Sequence, residues 1–149
     1  MTSLPQLPKL YRSIISGAAI AVVLLVSQNL MGMYMNFWVN LSSFANMVDA
    51  FRTEGVLDAH IAVGLVIVIG TFLQVTFGVR SRQRNIRLAA ASAFGFALLA
   101  FLSGLQFTLG GQSDIFSFSM EIGFVGIFGS IAVLLYLTGK SRGALKSES

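Results

Sequence analysis

Few side chains able to ligate, titrate or donate lie inside the apolar stretches of this chain, and most fall at one height. His60 is the only histidine, and cysteine is absent. A His in a membrane four-helix bundle can be an axial ligand of haem b, opposite a second His or a Met. Met120 can supply that sulfur, because it stands as far from Lys140 as His60 does from Arg80. The alternative for His60 is a helix-start role, donating to a loop carbonyl or pairing with Asp58. Glu121 is an acid inside an apolar stretch, and such residues are functional by default. It also lies near enough to a stretch end for its carboxylate to reach headgroup water. At about 1.5 Å per residue, His60, Gln28, Gln106, Met120 and Glu121 stand roughly 24 to 30 Å from the arginine-rich end. With Ser119 they define a pocket at one end: His60 and Met120 as the cofactor-binding pair, Gln28, Gln106, Ser119 and Glu121 as its lining. Gln74 alone lies near the other end.

Other chemistries lack their residues. A zinc or di-iron site needs more His or carboxylate ligands than this chain can converge, and no cysteine exists for a disulfide or a thiol nucleophile. No Gly-rich phosphate loop, H-E-x-x-H or Ser-His-acid set is present. A transporter would show broken helices and midplane polar groups, whereas polarity here gathers at one end. No catalytic residue is assigned, and the reading leans away from an enzyme.

The elements that must position these residues are four apolar stretches: about 14–35, 59–79, 88–109 and 115–137. Each is long enough to cross roughly 30 Å of hydrocarbon as a helix. With 55% hydrophobic and 11% charged residues in 149, a soluble protein would have too little polar surface to cover four such helices. The residues before the first stretch do not make a cleavable signal peptide, because the stretch is too long and no small-residue site follows it. Residues 1–149 read as one all-α domain, an integral membrane antiparallel four-helix bundle.

Orientation follows the cations. Lys9 and Arg12, then Arg80, Arg82, Arg84 and Arg87, then Lys140, Arg142 and Lys146 all fall on one side, leaving Arg52 alone on the other. That places both termini in the cytoplasm and the protein in the cytoplasmic membrane. The same cations set topology and touch anionic lipid, so the basic balance does not indicate nucleic acid. Phe37, Trp38 and Phe44 would sit in the outer interface, and Ser43 to Phe51 has the spacing of a short surface helix. Residues 110–114, Gly-Gly-Gln-Ser-Asp, read as a tight turn.

Small and polar residues in membrane helices normally face other helices. On the second stretch, His60, Gly64, Ile67, Thr71, Gln74 and Gly78 share one face, with Ala62, Leu65, Val66, Ile69, Phe72 and Leu73 opposite. The matching stripes are Gly17, Ala21, Leu24, Gln28 and then Met31 or Gly32 on the first, and Ser92, Phe96, Leu99, Ser103, Gln106 and Gly110 on the third. On the fourth, Ser119, Gly123, Gly126 and Ser130 form a small face. Either it packs on a neighbouring subunit and Glu121 looks inward, or Glu121 snorkels outward. Gln followed four residues later by Gly, at Gln28, Gln74 and Gln106, leaves open a duplication of two hairpins.

Two resemblances add to this reading. Gln28-Asn-Leu-Met-Gly-Met-Tyr-Met-Asn36, with Ser103-Gly-Leu-Gln-Phe-Thr-Leu-Gly-Gly-Gln-Ser-Asp114 and the following Met120, looks like an uncharacterised group of small prokaryotic four-span membrane proteins, which implies no activity. Asp58-Ala-His60-Ile-Ala-Val-Gly64, leading to Gln74 and Gly78, resembles one His-bearing helix of a haem A synthase half. That resemblance implies a haem-binding four-helix unit with a second His at the start of the fourth helix. Ser119-Met120-Glu121 stands there instead. Two functions are therefore expected: a non-catalytic accessory or structural subunit of a membrane complex, possible in a respiratory assembly, or a haem b protein with His60 as axial ligand. Its partners would be the bilayer and either other subunits or a second copy through the Gly123/Gly126 face.

Overall fold

The computed structural model describes residues 7–38, 55–109 and 113–147. They form four helices: α1 Leu7–Trp38, α2 Gly55–Arg80, α3 Arg84–Leu109 and α4 Asp114–Ser147. All four are long and apolar enough to cross a membrane, which fits a multi-pass membrane protein. Phe37 and Trp38, expected in a loop, are the last residues of α1. The proposed surface helix around Phe44 and the turn glycines Gly110 and Gly111 lie outside the described residues.

The helices outrun the apolar stretches because their inward periodicity continues past the hydropathy edge. In α1 the buried positions begin at Tyr11 and Ile14, beside the exposed Lys9 and Arg12. In α4 the buried run Ile127, Ile131, Leu134 reaches Thr138, whose hydroxyl donates to the Leu134 carbonyl at 2.7 Å. A polar clasp joins these extensions. Gln83 Nε2 donates to the Tyr11 hydroxyl at 2.9 Å, and the Ser141 hydroxyl lies 2.9 Å from Gln83 Oε1. One glutamine in the short α2–α3 turn therefore ties α1 to α4.

Arg82, in that turn, has a φ of 58°. Side chains other than glycine meet the following carbonyl in this conformation. Ser81 steadies the turn, donating from its hydroxyl to the Gly78 carbonyl at 2.7 Å and accepting from the Gln83 amide at 3.3 Å. Arg82→Gly is expected to stabilise the protein by about 1 kcal/mol, read as a higher unfolding temperature in detergent.

Packing closes a ring: α1 on α2, α2 on α3, α3 on α4, and α4 on α1. Gly17, early in α1, meets Gln74, late in α2, while Gly32, late in α1, meets His60, early in α2. On α2 the expected stripe faces inward. Ile67, Thr71, Gln74 and Gly78 are buried, whereas Ala62, Leu65, Val66, Ile69, Phe72 and Leu73 are exposed. Gln74 Nε2 donates to the Ile14 carbonyl at 3.2 Å.

The stripe expected on α3 is displaced. Ser103 is buried, but Ser92, Leu99 and Gln106 are exposed, and the inward face runs through Ile86, Ala90, Ala93 and Ala97. Alanine carries no polar signal, yet it permits the close approach that drives helix association in lipid, where apolar burial itself drives little. Gly78 of α2 uses that space: a methyl built there would stand 3.3 Å from the Ala90 Cβ and 3.2 Å from the Arg87 Cα.

The small face of α4 packs on α3 of the same chain. A methyl on Gly123 would stand 2.7 Å from the Ala100 Cβ and 2.9 Å from its backbone nitrogen, and Gly126 lies against the Phe96 ring. Within one chain, the Gly123 and Gly126 positions of the small face are therefore occupied by α3, while Ser119 and Ser130 on the same face stay half-exposed. The three Gln-x-x-x-Gly pairs also lack equivalent places: Gln74 is buried in the core, Gln28 lies toward the other end of the helices, and Gln106 is exposed.

Buried side chains concentrate toward the termini, at Tyr11 to Leu25, Ile67 to Gly78, Ile86 to Ala97 and Ile127 to Thr138. Toward the other end lie most of the residues that line a cavity.

Candidate functional site

Between the helices at that end is a cavity of about 570 Å³, within the range of roughly 300–1,000 Å³ usual for small-molecule sites. All four helices contribute to it. Buried Leu57, Ile67 and Ala97 form its inner wall, and exposed Phe37, Trp38, Asp114 and Glu121 form its rim. Half-buried Gln28, His60, Phe101, Thr108, Met120 and Phe124 lie between.

Three glycines on three helices make the room. A methyl on Gly32 would stand 3.3 Å from His60 Cε1; on Gly64, 3.3 Å from Gln28 Nε2 and 3.7 Å from the Phe101 ring; on Gly104, 3.2 Å from the Met120 sulfur. Each glycine thus opens space directly beside a residue able to bind. Leucine at these places would leave far less free volume.

The polar groups inside are incompletely satisfied. Among the described residues, Gln28 Oε1 and His60 Nδ1 are buried with no hydrogen-bond partner. The His60 ring lies beside the Gln28 backbone, and its Nδ1 has no hydrogen-bond partner among the described residues. Burying such a group without a partner costs about 1–3 kcal/mol, so a turn of either side chain toward the adjoining cavity, where a ligand or water can pair it, is favoured. Thr108 makes no such demand, since its hydroxyl donates to the Gly104 carbonyl at 2.8 Å. Charge at the site is one-sided: Asp114 and Glu121 line it, and no Lys or Arg does among the described residues. Nor do the described residues contain a group of three or more His, Cys, Asp or Glu able to hold a metal ion.

Of the residues expected at the site, Gln28, His60, Met120 and Glu121 line the same cavity. Glu121 does so from an exposed position, so its carboxylate can reach both the rim and water. Gln106 and Ser119 are not among the residues that line this cavity. Gln106 projects from the exposed side of α3, because Ala97, Ala100 and Gly104 set that helix's inward phase. The Ser119 hydroxyl donates to the Ile115 carbonyl of its own helix at 2.8 Å. Sequence reasoning missed Phe101, Gly104, Asp114 and Phe124 as lining. The small-residue ladder Ala97, Ala100, Gly104 was the available signal for α3.

Trp38 is the one tryptophan of the chain and stands at the rim, stacked on Tyr34 with ring centroids 5.4 Å apart and edge-on to Phe37 at 5.7 Å. Its indole is a built-in reporter of cavity occupancy. No protein-family model, curated protein or solved structure matches this chain.

Proposed function

We propose that the chain is an antiparallel four-helix bundle of the cytoplasmic membrane with both termini in the cytoplasm. In this reading it is a non-catalytic subunit of a membrane complex that holds a small, mostly apolar molecule at its outer end. The cavity is the observation that carries the reading: it is large, lined by Phe, Met and Gly, and bears two unpaired buried polar atoms. Antiparallel packing is supported by Gly17 against Gln74 and Gly32 against His60. Orientation is supported by the cations at the terminal end. Exposed Phe37, Trp38 and Leu109 at the outer end offer surface to a partner subunit.

Fluorescence of Trp38 tests ligand binding. Adamantan-1-ol, a compact apolar body with one hydroxyl, is titrated into the protein in a neutral detergent. The expected result is a saturable change in emission. A change linear in ligand, as micelle partitioning gives, would count against an occupied cavity.

The second reading is haem b, favoured by one observation: His60 and Met120 line the same cavity. The imidazole and thioether fit an iron ligand pair, which would let bound haem carry electrons. The rim does not fit the rest of the group, because haem's two propionates would meet Asp114 and Glu121 and, among the described lining residues, no cation. A Soret band in protein from haem-replete cells, lost in His60→Ala, would support haem. A colourless preparation would rule it out.

A further inference from the structure

The charge around the cavity bears on what enters it. We infer that the cavity takes a lipophilic cation, a molecule with a protonated amine on a compact apolar body; this rests on the cavity being a binding site. Three features point the same way.

The first is the pair of acceptors. Gln28 Oε1 can only accept a hydrogen bond, and neutral His60 accepts at Nδ1 when its proton is on Nε2. Both atoms are buried without a partner among the described residues. Each is closed off from the open space until its side chain turns toward it. With the His60 proton on Nε2, a ligand that then pairs them brings donors, which an ammonium group has in excess and a carboxylate lacks. The second is the rim, where Asp114 and Glu121 line the opening with no described cation beside them. The sequence extends this imbalance: the segments between α1 and α2 and between α3 and α4, with the adjoining helix starts, hold Asp49, Glu54, Asp58, Asp114 and Glu121 against Arg52. A cation approaching from that side is attracted, and an anion is repelled. The third is aromatic lining. The rings of Trp38, Phe101 and Phe124 provide π-faces that attract ammonium groups and suit an apolar body. The charge of an anionic ligand would gain from none of the three.

Three compounds with one cage body separate charge from shape: adamantan-1-amine, which is protonated at neutral pH, adamantan-1-ol and adamantane-1-carboxylate. Isothermal titration calorimetry on the full chain, in a neutral detergent at low salt, measures each. The amine is expected to bind at least about tenfold more tightly than the carboxylate, with the alcohol between them. The double variant Glu121→Gln, Asp114→Asn should reduce that gap to about threefold or less, with its size-exclusion profile in detergent unchanged. That profile verifies that the variant is folded. Equal or tighter binding of the carboxylate would overturn the inference, as would a gap that survives the double variant. Alcohol binding without charge preference would overturn it and leave the cavity reading standing. Failure of all three compounds to bind would overturn both.

Discussion

Gly123→Leu is expected to leave almost no folded protein, whereas Gly129→Leu, less than two turns away on the same helix, should fold normally. The difference lies in what each position meets. A methyl on Gly123 would already stand 2.7 Å from the Ala100 Cβ and 2.9 Å from the Ala100 backbone nitrogen. Backbone cannot swing aside as a long side chain can, so α4 would have to withdraw from α3, the most closely associated helix pair. Overpacking by a single methylene costs about 1–3 kcal/mol in well-packed interiors, and leucine adds several carbons at a backbone contact. Gly129 has open space around its missing Cβ. Size-exclusion profiles of the two variants in detergent provide the comparison. Equal monodisperse yields would show that α3 and α4 do not approach through this face.

The second large effect is on binding, with the fold retained. Gly64→Leu would grow toward Gln28 Nε2 and the Phe101 ring, and Gly104→Leu toward the Met120 sulfur. These neighbours are side chains beside an open cavity, so leucine can be accommodated by filling the space. Each substitution is expected to weaken adamantan-1-ol binding by about tenfold or more, corresponding to about 1.4 kcal/mol, with little change in unfolding temperature. Ile69→Leu, on the exposed side of α2, should alter neither. If Gly64→Leu binds like the parent protein, the ligand does not occupy the space between α1, α2 and α3.

Legibility differed between helices for a physical reason. On α2 the inward face carries His60, Thr71 and Gln74 among its small residues, so polarity and packing mark one side, and the expected stripe matched burial there. On α3 the inward face is built from Ala90, Ala93 and Ala97. The polar residues Ser92 and Gln106 point outward, and following them rotated the reading off the packed face. The same error placed Gln106 in the pocket. Small-residue spacing was the better guide to α3, as it was to α4, although the neighbour of Gly123 and Gly126 proved to be the chain's own α3. The gathering of His60, Gln28, Met120 and Glu121 was readable from helix height alone, because straight helices keep equal heights together. The Gln83 clasp was not. It depends on how far α1 and α4 extend beyond their apolar stretches, and a hydropathy boundary carries no information about that.

The central claim is a cavity that opens on the outer side of a four-span bundle, and the absence of native cysteine permits a clean test. Met120→Cys places a thiol in the cavity lining, and Gly143→Cys places one at an exposed position near the end of α4 with nothing within 4 Å of its missing Cβ. Intact cells expressing each variant are treated with a membrane-impermeant maleimide, with and without prior adamantan-1-ol. The account predicts labelling of Met120→Cys in intact cells and its slowing by the ligand, with Gly143→Cys labelled only after permeabilisation. Labelling of Gly143→Cys from outside, or a Met120→Cys thiol that reacts on neither side of the membrane, would contradict it.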